Sequence, residues 1–446
     1  MPIPNIEPPW KFWIKLRWLP VFPKSSRSYH DPLHGAITLH GSDPDEALLI
    51  QLIDTPAFQR LRRIRQLGPA SLTFHGAESS RFTHSLGVMA IARQAFDQLQ
   101  RRYPVLAPHR ATVLCAALLH DIGHGPFSHT AEEIFGLHHE HWTRRIIREL
   151  PAIRQKLDRY SPDLATAIDQ VYVHQHPIAL VWQLVSSQLD CDRLDYLLRD
   201  SYFTGASYGQ LDLDRILMAL EFEPESGRLT VAHKGLSAVE HYLVVRHFMY
   251  AQVYNHAKNI SVTWLLERAF LRARELHKAG KLEADDTVTA WLQAPQQPLG
   301  LETYLAGDDI VFTYHLQRWR YSDDPLLADF CRRFLDRDLL KTLEVTRLTP
   351  DQQRGLLDEV CHHLDHQGYS GDHYCALRHI WSRGYTTYQQ GIELFSDNSF
   401  VDIKQISPIV KTLSQSYQRI WLLYPREIHP WLQQRWQVYS QGLAVR

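Results

Sequence analysis

Apolar positions recur at intervals of three and four through AFQRLRRIRQL (57–67), HSLGVMAIARQAFDQL (84–99) and ALVWQLVSSQLDCDRLDYLLRDS (179–201). That period predicts helices with one face against a core. The run ATVLCAALL (111–119) predicts a further buried helix, ended by Gly123, Gly125 and Pro126. Helical patterning extends almost unbroken from about 45 to 270, with a long stretch over 235–279. Two segments depart from it. YHDPLHGAITLH (29–40) ends in an alternating run that predicts a strand or hairpin arm, and EFEPESGRLTVAH (221–233) predicts a small inserted hairpin. The polar, Pro- and Gly-containing stretch 283–309 predicts a boundary, after which helix-like segments alternate with strand-like GIELFS and SFVDIKQIS. The expected fold is mainly α, a helical core with a smaller α+β C-terminal part.

Composition adds limits rather than identity. The 446 residues, 44% apolar and 22% charged, suit an ordinary globular chain of two or three domains. A net charge of −1 gives no electrostatic reason to expect nucleic acid or a membrane as partner. The five cysteines form no CxxC pair and read as reduced thiols, which points to a cytoplasmic protein. The first 28 residues hold aromatic and basic side chains but no apolar signal core, and are expected to be a docked arm. No run of 18 apolar residues predicts a membrane span. Histidine is the outlier, at 26 residues.

Several histidines gather where the 111–119 run ends, in LLHDIGHGPFSH (118–129). A His-Asp pair alone is weak evidence, because it is often a satisfied core hydrogen bond. Two other apolar segments, however, also carry ionisable groups: His84 in SRFTHSLG, and Asp190, Asp192, Asp195 and Asp200 in LDCDRLDYLLRDS. Unpaired charges are costly in such runs. One imidazole, a His120-Asp121 pair and a distant carboxylate make a mixed N/O donor set suited to a divalent ion with open positions. That chemistry does not choose among Mn, Fe, Co, Ni, Zn and Mg. Asp195 and Arg199, four apart on a helix, read most simply as a solvated ion pair.

RFTHSLG, LLHDIGHGPFSH and LDCDRLDYLLRDSYFTG together resemble the H…HD…D signature of HD-domain phosphohydrolases. The similarity is to the branch that holds deoxynucleoside triphosphate triphosphohydrolases, and runs from HDPLHG near 31 to DPLLADFCRRFLDRDLLK (324–341). With about 24 residues ahead of it, no SAM domain is expected. The HD-GYP phosphodiesterase branch is set aside, because no GYP follows the HD region. The resemblance implies an HD-domain helical core, with a catalytic and nucleotide-binding part over 29–282 and a regulatory or oligomerisation part over 283–446. It implies one divalent ion per subunit on His84, His120, Asp121 and Asp192, with Mg as a second cation accompanying the nucleotide.

The residues implied around that ion divide by chemistry. His124, His129 and His139 line the catalytic pocket, with Glu132 orienting an imidazole. Histidine suits proton transfer because it titrates near neutrality. Spacing does not say which histidine is the acid, and His129 is favoured. Arg81, Arg193 and Arg246, with His256, would bind phosphate. Asp200 and Gln66 would meet the 3′-hydroxyl, Tyr196 the sugar ring, and Tyr254 would stand where a 2′-hydroxyl would lie. LIDTPAFQRLRRIRQLG (52–68) would supply a second nucleotide site: Asp54, Gln59 and Arg62 reading guanine, with Arg27 on its phosphate. The plain alternative is an amphipathic helix opened by Asp54 as its cap. The expected function is hydrolysis of dNTPs to deoxynucleoside and triphosphate by a homotetramer activated by a guanine nucleotide. Its rivals are an HD-type nucleotidase or phosphodiesterase, and an inactive nucleotide-sensing scaffold.

Overall fold

The computed structural model describes residues 25–294, 296–386, 391–396 and 399–441. Most of the expected arm, residues 1–24, therefore lies outside the described residues. The chain is mainly α with small sheets. It opens on an antiparallel hairpin, β1 (Arg27–Asp31) with β2 (Gly35–Leu39). Helix α1 (Pro44–Ile53) follows, capped by the Asp43 carboxylate, which accepts from the backbone N–H of Asp45 and Glu46.

The 57–67 stretch is not the single helix its periodicity predicts. Helix α2 covers only Pro56–Arg60, a 3-10 turn follows over Leu61–Arg63, and Arg65 then bridges to Ser80. Asp54 does not cap it either. Asp54 closes α1, and the Thr55 hydroxyl caps α2 by accepting from Phe58 N–H. Tertiary contacts override the period here: buried Arg60 sends its guanidinium to the carbonyls of His124 and Gly307, at 2.6–3.0 Å. Long α3 (Arg81–Arg102) and buried α4 (Arg110–Leu119) then pack together as predicted.

Two short helices, α5 (His129–Phe135) and α6 (His139–Glu149), follow the HD segment. The 179–201 region splits into Ala179–Gln183 and Cys191–Thr204, because the Asp190 side chain caps the second helix by accepting from Arg193 N–H. The inserted hairpin is β3 (Leu220–Glu223) with β4 (Arg228–Val231). Helices Leu236–Met249 and Ala257–Lys278 fill the predicted 235–279 stretch, joined by a π-helical turn at Tyr250–Tyr254.

Two apolar clusters lie side by side. The first packs α1, α3, α4 and Cys191–Thr204. The second is built largely from residues 260–432, but includes Phe127, Ala131, Ile134, Phe135 and Trp142 from around the HD loop. The polar 283–309 stretch is mostly helical and gives Trp291 and Tyr304 to that second cluster. Further on, β5 (Lys341–Glu344) and β6 (Ala376–Ser382) flank a later strand, β9 (Tyr417–Tyr424), in the order β5-β9-β6. The predicted strands around GIELFS and SFVD are β7 (Glu393–Ser396) and β8 (Ser399–Asp402), and β7 pairs in parallel with β4. The rest of SFVDIKQIS turns helical at Ile403–Ile406. None of the described helices is long and apolar enough to cross a membrane.

Candidate metal centre and active site

His84 sits in the first turn of α3 with no solvent exposure, facing the end of α4 where His120 and Asp121 lie. The Cys191–Thr204 helix supplies Asp192 from its first turn. Three elements thus converge. His84 Nε2 lies 3.3 Å from His120 Nε2, 3.0 Å from Asp192 Oδ1 and 3.6 Å from Asp121 Oδ2. His120 Nε2 lies 3.3 Å from Asp121 Oδ1 and 3.6 Å from Asp192 Oδ1.

The far side of each imidazole is fixed. His84 Nδ1 pairs with Asp195 Oδ2 at 2.7 Å, and His120 Nδ1 with the Ala117 carbonyl at 2.8 Å. Nδ1–H therefore donates outward and each Nε2 faces inward, its lone pair available to a cation once any proton there is displaced. Two lone pairs and two carboxylates facing one another call for a cation, and the donor set fits a divalent metal. All four residues that the resemblance implies as ligands are brought together. Burial alone would lower the His84 pKa, but hydrogen bonds to Asp192 and Asp195 and the charge of Asp121 raise it to about 10. Burial would raise Asp121, yet the Arg81 guanidinium and the flanking imidazoles hold it well below the usual carboxylate range.

Asp195 and Arg199 are not the solvated pair expected from their spacing. Both side chains are at 0% exposure. Arg199 Nε meets Asp195 Oδ2 at 2.7 Å and its Nη1 meets Asp31 Oδ2 at 2.8 Å, while His34 Nε2 meets Asp195 Oδ1 at 2.6 Å. The pair orients a metal-type histidine from behind. The HDPLHG stretch carries Asp31 and His34, so the signal is present in the sequence without a role attached.

A second cluster adjoins the first. Glu132 Oε1 accepts from His139 Nδ1 at 2.7 Å and from His129 Nδ1 at 3.0 Å, so the longer glutamate arm reaches both rings. His124 stacks on His139 with ring centroids 3.9 Å apart, and its Nε2 lies 3.3 Å from Asp121 Oδ1. Burial and the positive charge of Arg81 push the His124 pKa well down, so that ring is neutral. Burial would raise Glu132, but its imidazole partners hold it far below its ordinary range.

The loop that places these rings is conformationally unusual. Phe127 and Ser128 both have positive φ, 59° and 58°, which costs side-chain-bearing residues on the order of 1–3 kcal/mol each. Gly123 and Gly125 allow close approach, since a Cβ at these positions would lie 2.3 Å from Thr143 N and 2.9 Å from the Trp291 ring. Thr143, which no sequence signal marks, binds both sides of the HD turn: its Oγ1 accepts from Gly123 N–H and donates to the His120 carbonyl.

Both clusters face one cavity of about 630 Å³, which Gln66, Arg81, Arg193, Tyr196, Asp200 and Tyr254 also line. Tyr254 Oη donates to Asp200 Oδ2 at 2.8 Å, while buried Asp200 Oδ1 has no partner. Burial pushes the Asp200 pKa up to about 7. Arg193 donates to the Ser187 carbonyl at 2.7 Å. The other expected phosphate ligands are placed differently. Arg81 is already engaged, with Nη1 on Asp121 Oδ2 at 2.5 Å and Nε on Ser128 Oγ at 2.8 Å. Arg246 binds Gln188 Oε1 at 2.9 Å and, like His256, is outside the cavity lining. His256 caps the Ala257–Lys278 helix.

The expected second nucleotide site is an outward face. Arg27 Nη1 meets Asp54 Oδ1 at 2.5 Å, Gln59 Nε2 donates to the Ile53 carbonyl, and Arg62 Nε donates to Gln59 Oε1 at 2.8 Å. The hairpin strand β1 thus brings Arg27 to the segment that carries the other three residues.

Comparison with known proteins agrees with this geometry. An HD domain model matches residues 81–198 and an HD associated region model matches 211–358. The Bacillus subtilis protein YwfO is 35% identical over 410 residues, 90% of this chain and 92% of its own. The chain belongs to the HD-domain family. Human deoxynucleoside triphosphate triphosphohydrolase SAMHD1 is 28% identical over 362 residues, 72% of this chain and 54% of the human protein. A crystal structure of a phosphohydrolase from Bacteroides thetaiotaomicron is 28% identical with a TM-score of 0.79, over 90% of this chain and all of that one. Family membership points to a phosphohydrolase, and the cluster of His84, His120 and Asp192 could hold a divalent metal.

Two outcomes follow from the imidazole geometry. Asp195→Asn keeps the shape behind His84 but weakens its hold, and is expected to lower metal affinity about 10–100-fold; chelator competition on the folded variant measures it. An affinity equal to wild type would remove Asp195 from this role. In metal-free protein His84 is protonated below about pH 10. Binding must displace that proton and any on His120, whose pKa burial would lower but Asp121 and Asp192 raise, so affinity rises with pH below that value. Calorimetry at pH 7 in buffers of different ionisation enthalpy should detect at least one proton released per ion.

Proposed function

We propose that this chain hydrolyses deoxynucleoside triphosphates to deoxynucleoside and triphosphate. The observation that carries this reading is the single cavity shared by the His/Asp centre, the His129–Glu132–His139 cluster and the Asp200–Tyr254 pair. The activity that names human SAMHD1, a dNTP triphosphohydrolase, adds support at 28% identity. His84, His120, Asp121 and Asp192 would hold the metal. When bound, such an ion supplies polarisation of a phosphoryl oxygen and activation of water.

The chain's own residues do the rest. Water oxygen bonds to the α-phosphorus and loses a proton to solvent, the bond from phosphorus to O5′ breaks, and its electron pair goes to O5′, which takes a proton. His129 is the donor. Its Nδ1 is held on Glu132 and its ring is 67% exposed, so Nε2 is free to reach a leaving group. Neutral His124 stacks beneath His139 and keeps that ring in register with Glu132. Arg193 supplies phosphate charge compensation, while Arg81 acts through Asp121, holding its carboxylate toward the metal position. Asp200 Oδ1, buried and unpartnered, suits a sugar hydroxyl, and Tyr254 beside it closes the space a ribose would need.

A guanine nucleotide bound on the face formed by Arg27, Asp54, Gln59 and Arg62 would act as activator, and a homotetramer would be the active assembly. A carboxylate accepting N1–H and N2–H of guanine distinguishes it from adenine.

The deciding experiment incubates Mn-loaded protein with each dNTP alone and in pairs and resolves products by anion exchange. Intact tripolyphosphate is the expected product. Release of monophosphate or pyrophosphate instead makes the chain a nucleotidase of another type. If dGTP stimulates dTTP turnover, Asp54→Ala should abolish the stimulation with metal content unchanged; stimulation that survives in the variant removes Asp54 from the activator site. Tyr254→Ala should raise ATP turnover relative to dATP. An unchanged ratio would assign the tyrosine to packing alone.

A further inference from the structure

The turn that aims His129 does not hold itself. Two consecutive side-chain-bearing residues, Phe127 and Ser128, adopt positive φ immediately before His129 opens α5. Such a turn persists only where its surroundings fix it. Phe127 N–H donates to Asp309 Oδ1 at 2.7 Å. Ser128 Oγ donates to the Arg65 carbonyl at 2.6 Å, and Arg65 N–H in turn donates to the other oxygen of the same carboxylate, Asp309 Oδ2, at 3.0 Å. From the opposite side Gly68 lets the chain approach so closely that a Cβ there would sit 2.5 Å from the Phe127 carbonyl oxygen. Asp309 thus grips both walls of the contact that sets the turn.

We propose that Asp309, which lies outside the H…HD…D set and within the HD associated region, is a positioning residue for the His129 acid. The role of His129 itself rests on the function proposed above. The chemistry of the clamp requires a carboxylate. Two backbone donors face two acceptor oxygens, and Asp309 is 4% exposed with no cation bonded to it among the described residues. An asparagine of the same shape would present an NH₂ to one of those N–H groups, leaving a donor against a donor. The neighbouring Asp308 is engaged elsewhere. Its Oδ1 caps the Asp309–Trp319 helix and its Oδ2 pairs with Arg63 at 2.5 Å. Asp309 begins that helix, so the clamp is anchored in the second apolar cluster rather than in the loop it holds.

The test compares Asp309→Asn with His129→Ala, using Mn-loaded protein and dTTP. Asp309→Asn should lower kcat about 10–100-fold, the scale for a displaced catalytic group. KM and metal content should stay near wild type, and the alkaline limb of the kcat profile should flatten as it does in His129→Ala. A loss confined to KM or metal content, or a retained wild-type alkaline limb, overturns the proposal. Hydrogen exchange needs no substrate: peptides covering 126–132 should exchange faster in the variant while those covering α3 and α4 do not. Unchanged exchange there overturns the clamp whatever the enzyme's substrate. If wild type releases no tripolyphosphate but exchange behaves as expected, the proposed function fails and the clamp stands. Should Asp309→Asn not fold, Ser128→Ala removes the Arg65 link together with the Arg81 Nε contact, and at wild-type metal content should give a smaller kcat loss with the same change in the alkaline limb; a wild-type kcat and profile would then refute the role.

Discussion

Asp195 is shut off from solvent and bonded to His34, His84 and Arg199 at once. Taking an ion out of water costs several kcal/mol, and only dense pairing with good geometry offsets that. The pairing here is dense because Arg199 passes it on to Asp31 in β1. One buried chain of charge therefore links the opening hairpin, the Cys191–Thr204 helix and the α3 histidine. If Asp195 were displaced, His84 would lose the partner that sets its tautomer and Arg199 would be left with a single carboxylate. The metal centre depends on this layer behind it as much as on its own donors, because a convergence of lone pairs has no direction unless the far nitrogens are fixed.

The same layer marks where sequence reading reaches and where it stops. Local period predicts α3, α4, the hairpins and the long helices after 235, since their apolar faces meet the core over many residues. The candidate cluster is legible too, because three motifs each place an ionisable group in an apolar run, and the structure brings those groups together. Asp195 and Arg199 are misread for a physical reason. Spacing four apart on a helix looks the same whether the face is wet or buried, and only the packing of β1 and α3 over that face distinguishes the cases. Asp54 misleads likewise: Asp and Thr are both good caps, and the adjacent Thr55 takes the position. The splitting of 57–67 reflects Arg60, whose buried guanidinium satisfies two distant carbonyls that no local pattern encodes.

Those carbonyls show how the second apolar cluster serves the site. Arg60 ties the His124 carbonyl to Gly307, Tyr304 donates to the Gly123 carbonyl, and Trp291 packs against Gly125. Each contact reaches from the HD loop into residues beyond 290. The loop's two glycines leave room for these close approaches, so its shape is set in part by its neighbours. The loop is consequently a joint between two cores.

The joint has an outer side. The segment that supplies Arg60 and Arg65 to the HD loop also turns Gln59 and Arg62 outward, beside Arg27 and Asp54. A ligand that pulled on Gln59 or Arg62 would act on a stretch only a few residues long, whose inward atoms hold the His124 carbonyl and Ser128. Side-chain hydrogen bonds on both faces of so short a segment leave it little freedom to move on one face alone. If a ligand binds that outer face as proposed, its pull would reach the His129 turn through residues 59–65, the end of α2 and the 3-10 turn after it, and their contacts with Asp309 and Gly307.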